Sequence, residues 1–346
     1  MRYSITIIIP TYDRPQHIDD ILLRQINNYR GDLFRFAIYD SSKEKESLLK
    51  YEALAQALKP SIKIDYNYCP NIYSLSAKVE YAIRKVDTEY IYLVGDGMNV
   101  NYDNLEKELL NMNFSKYDVI NINSALGYYC EKNRCEKSNH EYGSNSRQFV
   151  IDNMSLMTLY GASIVKTQLM IDTIKCNYYQ HFYKLNDGLN GFVYVSSLCE
   201  KILELEYLEL ISCFSESIKG NNIVKPRSNK WSVGSSLYEV GFKRFLNSID
   251  GMKNLSKAEK DIIIHRYYFD DWSAYGVLNL LNYRIENSIT KDLIDKYKKY
   301  LIQSGLYRRF LLVSFIPVFP LALCNKILRL VKRIVKGCLC NNGYKK

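Results

Sequence analysis

The segment from residue 3 to residue 15 constrains the fold of this chain more than any other stretch. Ile5 to Ile9 contains four isoleucines, so the run is apolar on both faces. Such a β-branched run is typical of a central parallel strand that helices cover on both sides. Pro10 has no N–H group, so we expect the strand ladder to stop there. Asp13 is expected to accept hydrogen bonds from free N–H groups at the start of the next helix. A polar loop at this edge of an α/β sheet is where such proteins bind ligands.

Segments with strand and helix periodicity alternate along the first 220 residues. The predicted strands after the first are Phe34–Tyr39, Ile62–Tyr66, Tyr90–Val94, Asp118–Ile122 and Leu159–Val165. The predicted helices are 43–58, 74–85, 102–112 and 167–175. This alternation predicts a mainly parallel, Rossmann-like sheet with helices on both faces. Residues 123–153 interrupt it with a polar stretch that lacks a helical period, and we interpret them as an insertion or a β-excursion beside the sheet. From about Asn221 the pattern becomes helical.

The formal net charge of +10 is concentrated at the carboxyl end of the chain. Residues 305–346 contain nine basic residues and no acid, which leaves 38 basic against 37 acidic residues in 1–304. Because the body is electrically balanced, we do not expect a nucleic-acid-binding face. The nine cysteines are scattered and no secretory leader is visible, so a reducing cytoplasm is expected. Cys130 and Cys135 could pair or hold a metal, but no second ligand pair stands at zinc spacing.

Two apolar segments make up the end of the chain. Residues 311–324 are shorter than the roughly 20 residues that a membrane-spanning helix needs, and prolines interrupt them. On a helical wheel of residues 325–336, the basic side chains share one arc and the apolar side chains share the other. We predict that residues 306–346 lie on an anionic membrane surface. The alternative is a C-terminal helix that packs on the protein's own core with its basic residues facing water.

Three motifs together indicate a family. They are Ile7-Ile-Ile-Pro-Thr-Tyr-Asp-Arg-Pro15, the acid Asp40 after the second strand, and Tyr90-Ile-Tyr-Leu-Val-Gly-Asp-Gly97. In this order and spacing they resemble bacterial glycosyltransferases of family 2, which have the GT-A fold, over roughly the first 215 residues. The resemblance implies a GT-A catalytic domain at 1–220. A helical domain at 221–305 and the basic amphipathic segment at 306–346 would follow it.

The resemblance also implies where a donor would bind. In the family the loop after the first strand surrounds uridine, which corresponds here to Pro10, Thr11 and Tyr12. The acid that contacts uracil corresponds to Asp40, with Ser42 beside it, and a basic residue near the diphosphate corresponds to Lys78. A carboxylate suits the uracil N3–H donor and a lysine suits phosphate. Asp40 is equally compatible with a helix N-cap or an ordinary turn.

The chain departs from the family at the metal motif. The family has Asp-any-Asp after the fourth strand, whereas this chain has Gly95-Asp96-Gly97-Met98, with one carboxylate. Mn²⁺ or Mg²⁺ can be held by one protein carboxylate together with substrate phosphates and waters, so Asp96 is the predicted metal or diphosphate contact. Help from Asp103, a mechanism with little use of metal, lost activity, and a purely structural turn at Asp96 remain open.

An inverting sugar transfer needs a general base for the acceptor hydroxyl. By its distance along the chain, and by its position before a predicted helix that begins at Phe192, Asp187 matches the acid that the family uses. Glu200, inside that helix, is the substitute candidate. Asp187 is also compatible with a helix start or turn. His181 could contact metal or phosphate, but its aromatic neighbours favour packing.

The resemblance implies a peripheral enzyme at the inner face of a bacterial membrane. It would move a sugar from a nucleotide-diphosphate donor, UDP-linked, to a lipid-linked or polysaccharide acceptor in surface polysaccharide assembly. The acceptor class follows from the basic segment, because a polyprenyl carrier keeps its saccharide near the membrane. Self-association is left open. The rivals are a non-catalytic sugar- or partner-binding relative and a nucleotidyltransferase, although the opening loop of the latter class is missing.

Overall fold

The computed structural model describes residues 3–14, 23–58, 64–72, 74–123, 139–185, 192–219, 236–270 and 275–320. Contacts within the chain divide it into two compact units. The first unit contains residues 1–226 and 244–272, and the second contains residues 227–243 and 273–346. Each unit has its own hydrophobic core.

The first unit is built on a mixed, mostly parallel sheet. The described strands are β1 (Ile5–Thr11), β2 (Phe34–Asp40), β3 (Ile64–Tyr68), β4 (Tyr90–Leu93), β5 (Asn99–Val100), β6 (Val119–Ile122), β7 (His140–Gly143), β8 (Ser163–Lys166), β9 (Leu210–Cys213) and β10 (Ile218–Lys219). Within the described ranges, eight of them form one sheet in the order β3-β2-β1-β4-β8-β6-β9-β7, and β5 pairs with β10. The predicted α/β architecture is confirmed: a mainly parallel sheet packed with helices is followed by a helical region.

Helices cover this sheet and continue into the second unit. In the first unit they are α1 (Leu23–Asn28), α2 (Lys45–Leu58), α3 (Leu75–Ile83), α4 (Tyr102–Asn111), α5 (Ser146–Met157), α6 (Thr167–Lys175), α7 (Asn177–Leu185), α8 (Val193–Glu204), α9 (Phe245–Gly251) and α10 (Lys257–Phe269). In the second unit they are α11 (Val277–Ile285), α12 (Lys291–Lys296), α13 (Lys298–Gln303) and α14 (Tyr307–Ser314). A π-helical segment, Ser236–Arg244, precedes α9.

Polar side chains define where several of these helices begin. Ser74, Asn101 and Asn145 each accept a hydrogen bond from the third following N–H, at 3.1, 3.1 and 3.2 Å, and so cap α3, α4 and α5. Ser256 and Glu259 form a reciprocal capping box at the start of α10. Each cap satisfies a backbone donor that the helix itself cannot satisfy, so the helix start is fixed locally.

The strand at the centre of the sheet continues one residue beyond Pro10, where the sequence predicted its end. All seven residues of β1 are buried, and the strand pairs in parallel with both β2 and β4. Ile8 is the last residue paired with β4, and its carbonyl accepts a hydrogen bond from Val94 N at 3.0 Å. Pro10 lies two residues further along the same side of β1, past the end of β4. The missing N–H of Pro10 therefore falls on the β4 side, and it leaves the pairing of β1 with β2 intact as far as Thr11 and Asp40.

The segment between β6 and β8 contains a helix that the sequence pattern did not predict. Residues 124–138 of the expected insertion lie outside the described residues. The following residues form the short strand β7 and then α5, most of whose side chains are buried. Arg147 pairs with Glu259 and Arg266 pairs with Asp152, each at 2.8 Å, which ties α5 to α10. Because α5 is buried on more than one face, its apolar residues do not recur at the 3.6-residue spacing that identifies an amphipathic helix in a sequence.

The second unit has an aromatic core. The ring of Tyr238 stacks on Tyr297 at 5.1 Å between centroids, and Phe310 contacts Tyr238 and Phe242 at 5.7 and 5.5 Å. Leu306, Phe310 and Val313 are buried, so one face of α14 belongs to this core. The start of the predicted surface segment at 306–346 is therefore packed on the protein. Its wheel at residues 325–336 lies outside the described residues.

No helix in the described ranges is long and apolar enough to cross a membrane.

Candidate functional site

Polar side chains gather where three neighbouring parallel strands end. β1 lies between β2 and β4, so the chain leaves β1 toward one side and later returns on the other. The crevice at such a switch point, outside the carboxyl ends of the strands, is where open α/β sheets bind ligands. Thr11 and Asp40 are the last residues of β1 and β2, and Asp96 follows β4. The structure therefore brings these three predicted residues to one edge of the sheet.

Thr11 connects the elements of this edge. Its hydroxyl donates to Asp96 Oδ2 at 2.9 Å and is also hydrogen-bonded to the hydroxyl of Tyr51 on α2. Its carbonyl accepts a hydrogen bond from Lys78 Nζ at 2.7 Å. Lys78 is 4% exposed, and burial lowers the pKa of its ammonium group, while nearby acids including Asp40 oppose this. Thr11 thus positions one anionic and one cationic side chain beneath the crevice.

Asp40 is fully buried, and its own neighbours occupy its carboxylate. Oδ1 accepts hydrogen bonds from the Ser42 backbone N–H and hydroxyl at 2.8 and 2.5 Å, and Oδ2 accepts one from Tyr66 OH at 2.8 Å. Asp40 therefore ties the end of β2 to β3 in this conformation. Ser42 connects the segment after β2 to the loop after β1, because its hydroxyl accepts a hydrogen bond from Asp13 N at 2.7 Å.

The loop after β1 is held by Asp13, and the predicted donors that follow Asp13 in the chain lie outside the described residues. Asp13 has a positive φ of 44°, and its Oδ1 accepts hydrogen bonds from Lys43 N and Glu44 N at 2.9 and 3.1 Å. These donors precede α2, so Asp13 binds the start of that helix. Pro10 and Thr11 are buried, whereas Tyr12 is 37% exposed. Tyr12 is thus the most exposed of the three predicted loop residues.

Asp96 pairs with an arginine that the sequence analysis did not select. Arg14 Nη1 lies 2.9 Å from Asp96 Oδ1, and the two side chains are 33% and 8% exposed. Both carboxylate oxygens are thus engaged, one by Arg14 and one by Thr11. In the described ranges no three His, Cys, Asp or Glu side chains form a metal-binding group, and Asp103 binds Arg30 N instead. These residues fit a divalent metal only as one ligand among several, with phosphate oxygens supplying others.

Two glycines allow close packing around Asp96. A Cβ on Gly95 would lie 3.4 Å from Cβ of Tyr160, so this tyrosine covers the loop. Gly161 has a φ of +78°, and a Cβ there would lie 2.4 Å from Met98 Cε. Gly161 N donates to Leu93 O at 2.8 Å, and Gly161 O accepts a hydrogen bond from Tyr92 OH at 3.0 Å. The turn before β8 therefore supports the loop that carries Asp96.

Burial raises the pKa of Tyr51 and of Tyr160, both of which lie close to Asp96, so both hydroxyls stay neutral. Together with Arg14, these are site residues that sequence reasoning missed. Arg14 was visible as part of the opening motif. Tyr51 and Tyr160 gave no signal, because they are two of 31 tyrosines in the chain.

The candidate bases on the acceptor side have different outcomes. Asp187 lies outside the described residues. Glu200 is fully buried, and its carboxylate accepts hydrogen bonds from Lys253 N and Asn254 Nδ2, each at 2.5 Å. Glu200 therefore holds the loop between α9 and α10, which corrects its selection as the substitute base. His181 packs beside Phe182 at 5.3 Å between rings, in agreement with the packing alternative.

No family model matches the chain, and no curated protein matches it. Among solved structures it is similar to S. aureus TarS, with 14% identity and a TM-score of 0.48, covering 84% of this chain and 49% of TarS. The chain thus spans about half the length of that protein. Residues 1–349 of S. aureus TarS in complex with UDP-GlcNAc give 14% identity and a TM-score of 0.48, covering 90% of this chain and 88% of that one.

The mannosyltransferase PcManGT from Pyrobaculum calidifontis, in complex with GDP-Man and Mn²⁺, gives 12% identity and a TM-score of 0.49. The match covers 92% of this chain and 88% of that one. At these identities and scores the similarities carry no functional argument, so the argument for function rests on the chain's own site.

Proposed function

We propose that this chain is a glycosyltransferase that binds a nucleoside diphosphate sugar, UDP-linked, at the carboxyl edge of β1, β2 and β4. One observation carries the proposal: Thr11 joins Asp96 and Lys78 at the switch point of the sheet, with Arg14 on the other carboxylate oxygen of Asp96. A crevice edge with two cations, in which Asp96 is held by Thr11 and Arg14, suits a diphosphate. The cations offset the charge of the phosphates, and the carboxylate can share a metal with them.

Each described residue has a role in this proposal. The exposed ring of Tyr12 lies beside the base, and Asp40 with Ser42 sets the end of β2 against which uracil is read. Lys78 is buried against the loop after β1, so it raises the local potential and fixes the Thr11 carbonyl. Arg14 is partly exposed and can leave Asp96 for a phosphate oxygen. A guanidinium pairs well with phosphate because its N–H groups match two oxygens.

Asp96 is the residue that would hold Mn²⁺ or Mg²⁺, sharing it with the donor phosphates. When bound, the metal supplies positive charge to the leaving diphosphate. Asp187 is proposed as the base that deprotonates the acceptor hydroxyl, which would give inversion at the anomeric carbon. The proposed acceptor is a lipid-linked or polysaccharide saccharide in surface polysaccharide synthesis, and the proposed location is the inner face of a bacterial membrane.

The second candidate is a non-catalytic relative that binds a nucleotide sugar or a partner. It is favoured by the single carboxylate at the metal position and by the pairing of that carboxylate with Arg14. Both candidates use the same crevice, so donor binding alone does not separate them.

The test is calorimetry of UDP and GDP binding to the full chain, with Mn²⁺ and with a chelator. We expect UDP to bind, and we expect Asp40→Asn to weaken it, because an amide nitrogen cannot accept the hydrogen bonds from Ser42 or Tyr66 that set the end of β2. Asp96→Asn should remove the dependence on Mn²⁺, and Asp103→Asn, on the exposed side of α4, is the matched control. If neither UDP nor GDP binds, the proposed site is excluded.

Transfer itself is tested by UDP release from UDP-sugars in detergent with lipid-linked saccharides. Release that depends on the acceptor, and that falls on the order of 10²–10⁴-fold in Asp187→Asn, supports the glycosyltransferase. Binding without release supports the non-catalytic candidate.

A further inference from the structure

The helix α14 has a packed face and an exposed apolar face. Phe310 and Val313 are buried at 0% and 7% exposure, whereas Leu312 and Phe315 are 68% and 74% exposed. Phe319, in the segment after Pro317 that follows the end of α14, is 81% exposed. Large apolar side chains that are exposed to water within eight residues of one another indicate an interaction surface.

Basic side chains lie on this helix and at its start. Arg308 precedes Leu312 by four residues and Phe315 by seven, so the three share one side of the helix. Arg309 is exposed next to it, and Lys298 Nζ lies 5.6 Å from the ring of Tyr307 at the start of α14. In the sequence the last acidic residue is Asp295, and every charged side chain after it is basic.

We propose that this surface, formed by Lys298, Arg308, Arg309, Leu312, Phe315 and Phe319, lies on an anionic lipid bilayer. Leu312, Phe315 and Phe319 would enter the boundary between headgroups and acyl chains, while the basic groups remain with the headgroups. The partner's chemistry follows from the three charged members of this surface, Lys298, Arg308 and Arg309, because an extended anionic surface complements basic groups. The proposal goes beyond the donor site and does not depend on it.

Two other occupants fit the charges less well. A second copy of the chain would place the same positive patch against itself in a two-fold dimer, and like charges would then oppose one another. Residues 321–346 of the same chain carry only basic charges, so their packing on this face would meet the same repulsion. An anionic bilayer offsets the positive charge and covers the apolar side chains together.

The test is co-sedimentation of the full chain with vesicles of phosphatidylcholine, alone or mixed with phosphatidylglycerol. We expect binding to the mixed vesicles that weakens at high salt. The variant Leu312→Ser, Phe315→Ser, Phe319→Ser should bind at least about tenfold more weakly, because it removes the inserted apolar area. Lys298→Glu with Arg308→Glu should lose the preference for the anionic lipid.

Matched controls come from exposed positions of the first unit. Leu49→Ser, Leu110→Ser and Tyr207→Ser remove side chains that are 55%, 55% and 74% exposed, and they should leave vesicle binding unchanged. Lys107→Glu with Lys257→Glu changes the net charge by the same amount as Lys298→Glu with Arg308→Glu. Equal losses in control and test variants would show a general charge or solubility effect and would overturn the proposal.

A second readout reports insertion directly. In the Phe315→Trp variant, brominated lipids should quench the new indole beyond the baseline set by the two native tryptophans. Three results would overturn the proposal: no vesicle binding by the wild-type chain, no added quenching, or unchanged binding by the triple serine variant. A lower melting temperature of that variant would indicate packing against the chain's own residues, and a change in its sedimentation coefficient would indicate a second copy. Either result would also overturn it.

Discussion

Asp13 and Asp40 each connect two elements at the edge of the sheet. Asp13 binds the N–H groups before α2, and Asp40 binds Ser42 and Tyr66. These partners are set by how separate elements pack, and neither propensity nor periodicity contains that information.

The bond between Tyr66 and Asp40 yields a prediction at this scale. Tyr66→Phe leaves Asp40 Oδ2 buried without this donor, so the free energy of unfolding should fall by about 1–3 kcal/mol. Urea denaturation measures the change. The matched control is Tyr68→Phe on the same strand, whose hydroxyl bond is 3.3 Å and whose side chain is 44% exposed. Equal stability of the two variants would mean that Tyr66 does not hold the carboxylate.

At the scale of elements, most of the sheet was predictable and its order in space was not. The first four strands and the helices that follow them have the periodicity that the sequence predicted, because their buried faces follow single-element rules. β8 was predicted as a strand, but its antiparallel insertion between β4 and β6 depends on long-range pairing. This insertion brings Tyr160 and Gly161 to the loop that carries Asp96, so part of the site lay beyond sequence reasoning.

Gly161 links this topology to the site. Gly161→Ala should destabilise the fold by about 1–2 kcal/mol, because alanine is strained at a φ of +78°. Its Cβ would also push Met98, and with it the loop of Asp96, so UDP affinity should fall. Adding Met98→Ala removes the contact but not the strain. The double variant should therefore recover UDP affinity without recovering all of its stability, as calorimetry and urea denaturation would show. Unchanged UDP affinity in the single variant would contradict this coupling.

The packed face of α14 gives a second prediction for an element. Phe310→Ala should lower the free energy of unfolding by about 3–5 kcal/mol, because it opens a cavity between Tyr238 and Phe242. Phe315→Ala, on the exposed face, should change it by less than about 0.5 kcal/mol. Thermal melts of the two variants in the absence of lipid give the comparison. Similar melting temperatures would mean that α14 does not belong to the core of the second unit.

Tyrosine is the residue type that decides how the whole molecule responds to pH. The chain has 31 tyrosines, and many are buried at the centre of the sheet and in the second unit. Burial raises the pKa of Tyr39 to about 12, and it also raises the pKa values of Tyr92, Tyr102 and Tyr268. Composition predicted an aromatic core, but which hydroxyls lie away from water depends on packing.

These shifts predict alkaline unfolding. The unfolded chain releases tyrosine protons from about pH 10, while the folded chain keeps them to higher pH. Between these values the unfolded state binds fewer protons, so stability is retained below about pH 10 and falls as the pH rises further. Lys78 contributes to the pH dependence of stability with the opposite sign, because its lowered pKa makes the folded state release a proton before the unfolded state does. The buried tyrosines are more numerous, so their contribution decides the direction. Tyrosinate absorbance should therefore appear together with the loss of circular dichroism.

Tyr102 makes this prediction specific. Its hydroxyl is buried on α4 without a hydrogen-bond partner among the described residues, and burial alone raises its pKa. Tyr102→Phe removes an unsatisfied polar group, so the free energy of unfolding at neutral pH should rise by about 1–3 kcal/mol. It also removes one proton that only the unfolded chain releases, so the midpoint of alkaline unfolding should move to higher pH. Urea denaturation at neutral pH and a pH titration followed by circular dichroism measure the two effects.

Tyr207→Phe, at a side chain that is 74% exposed, is the control and should leave both values unchanged. A Tyr102→Phe chain that is less stable than the wild type would show that the hydroxyl has a partner in solution.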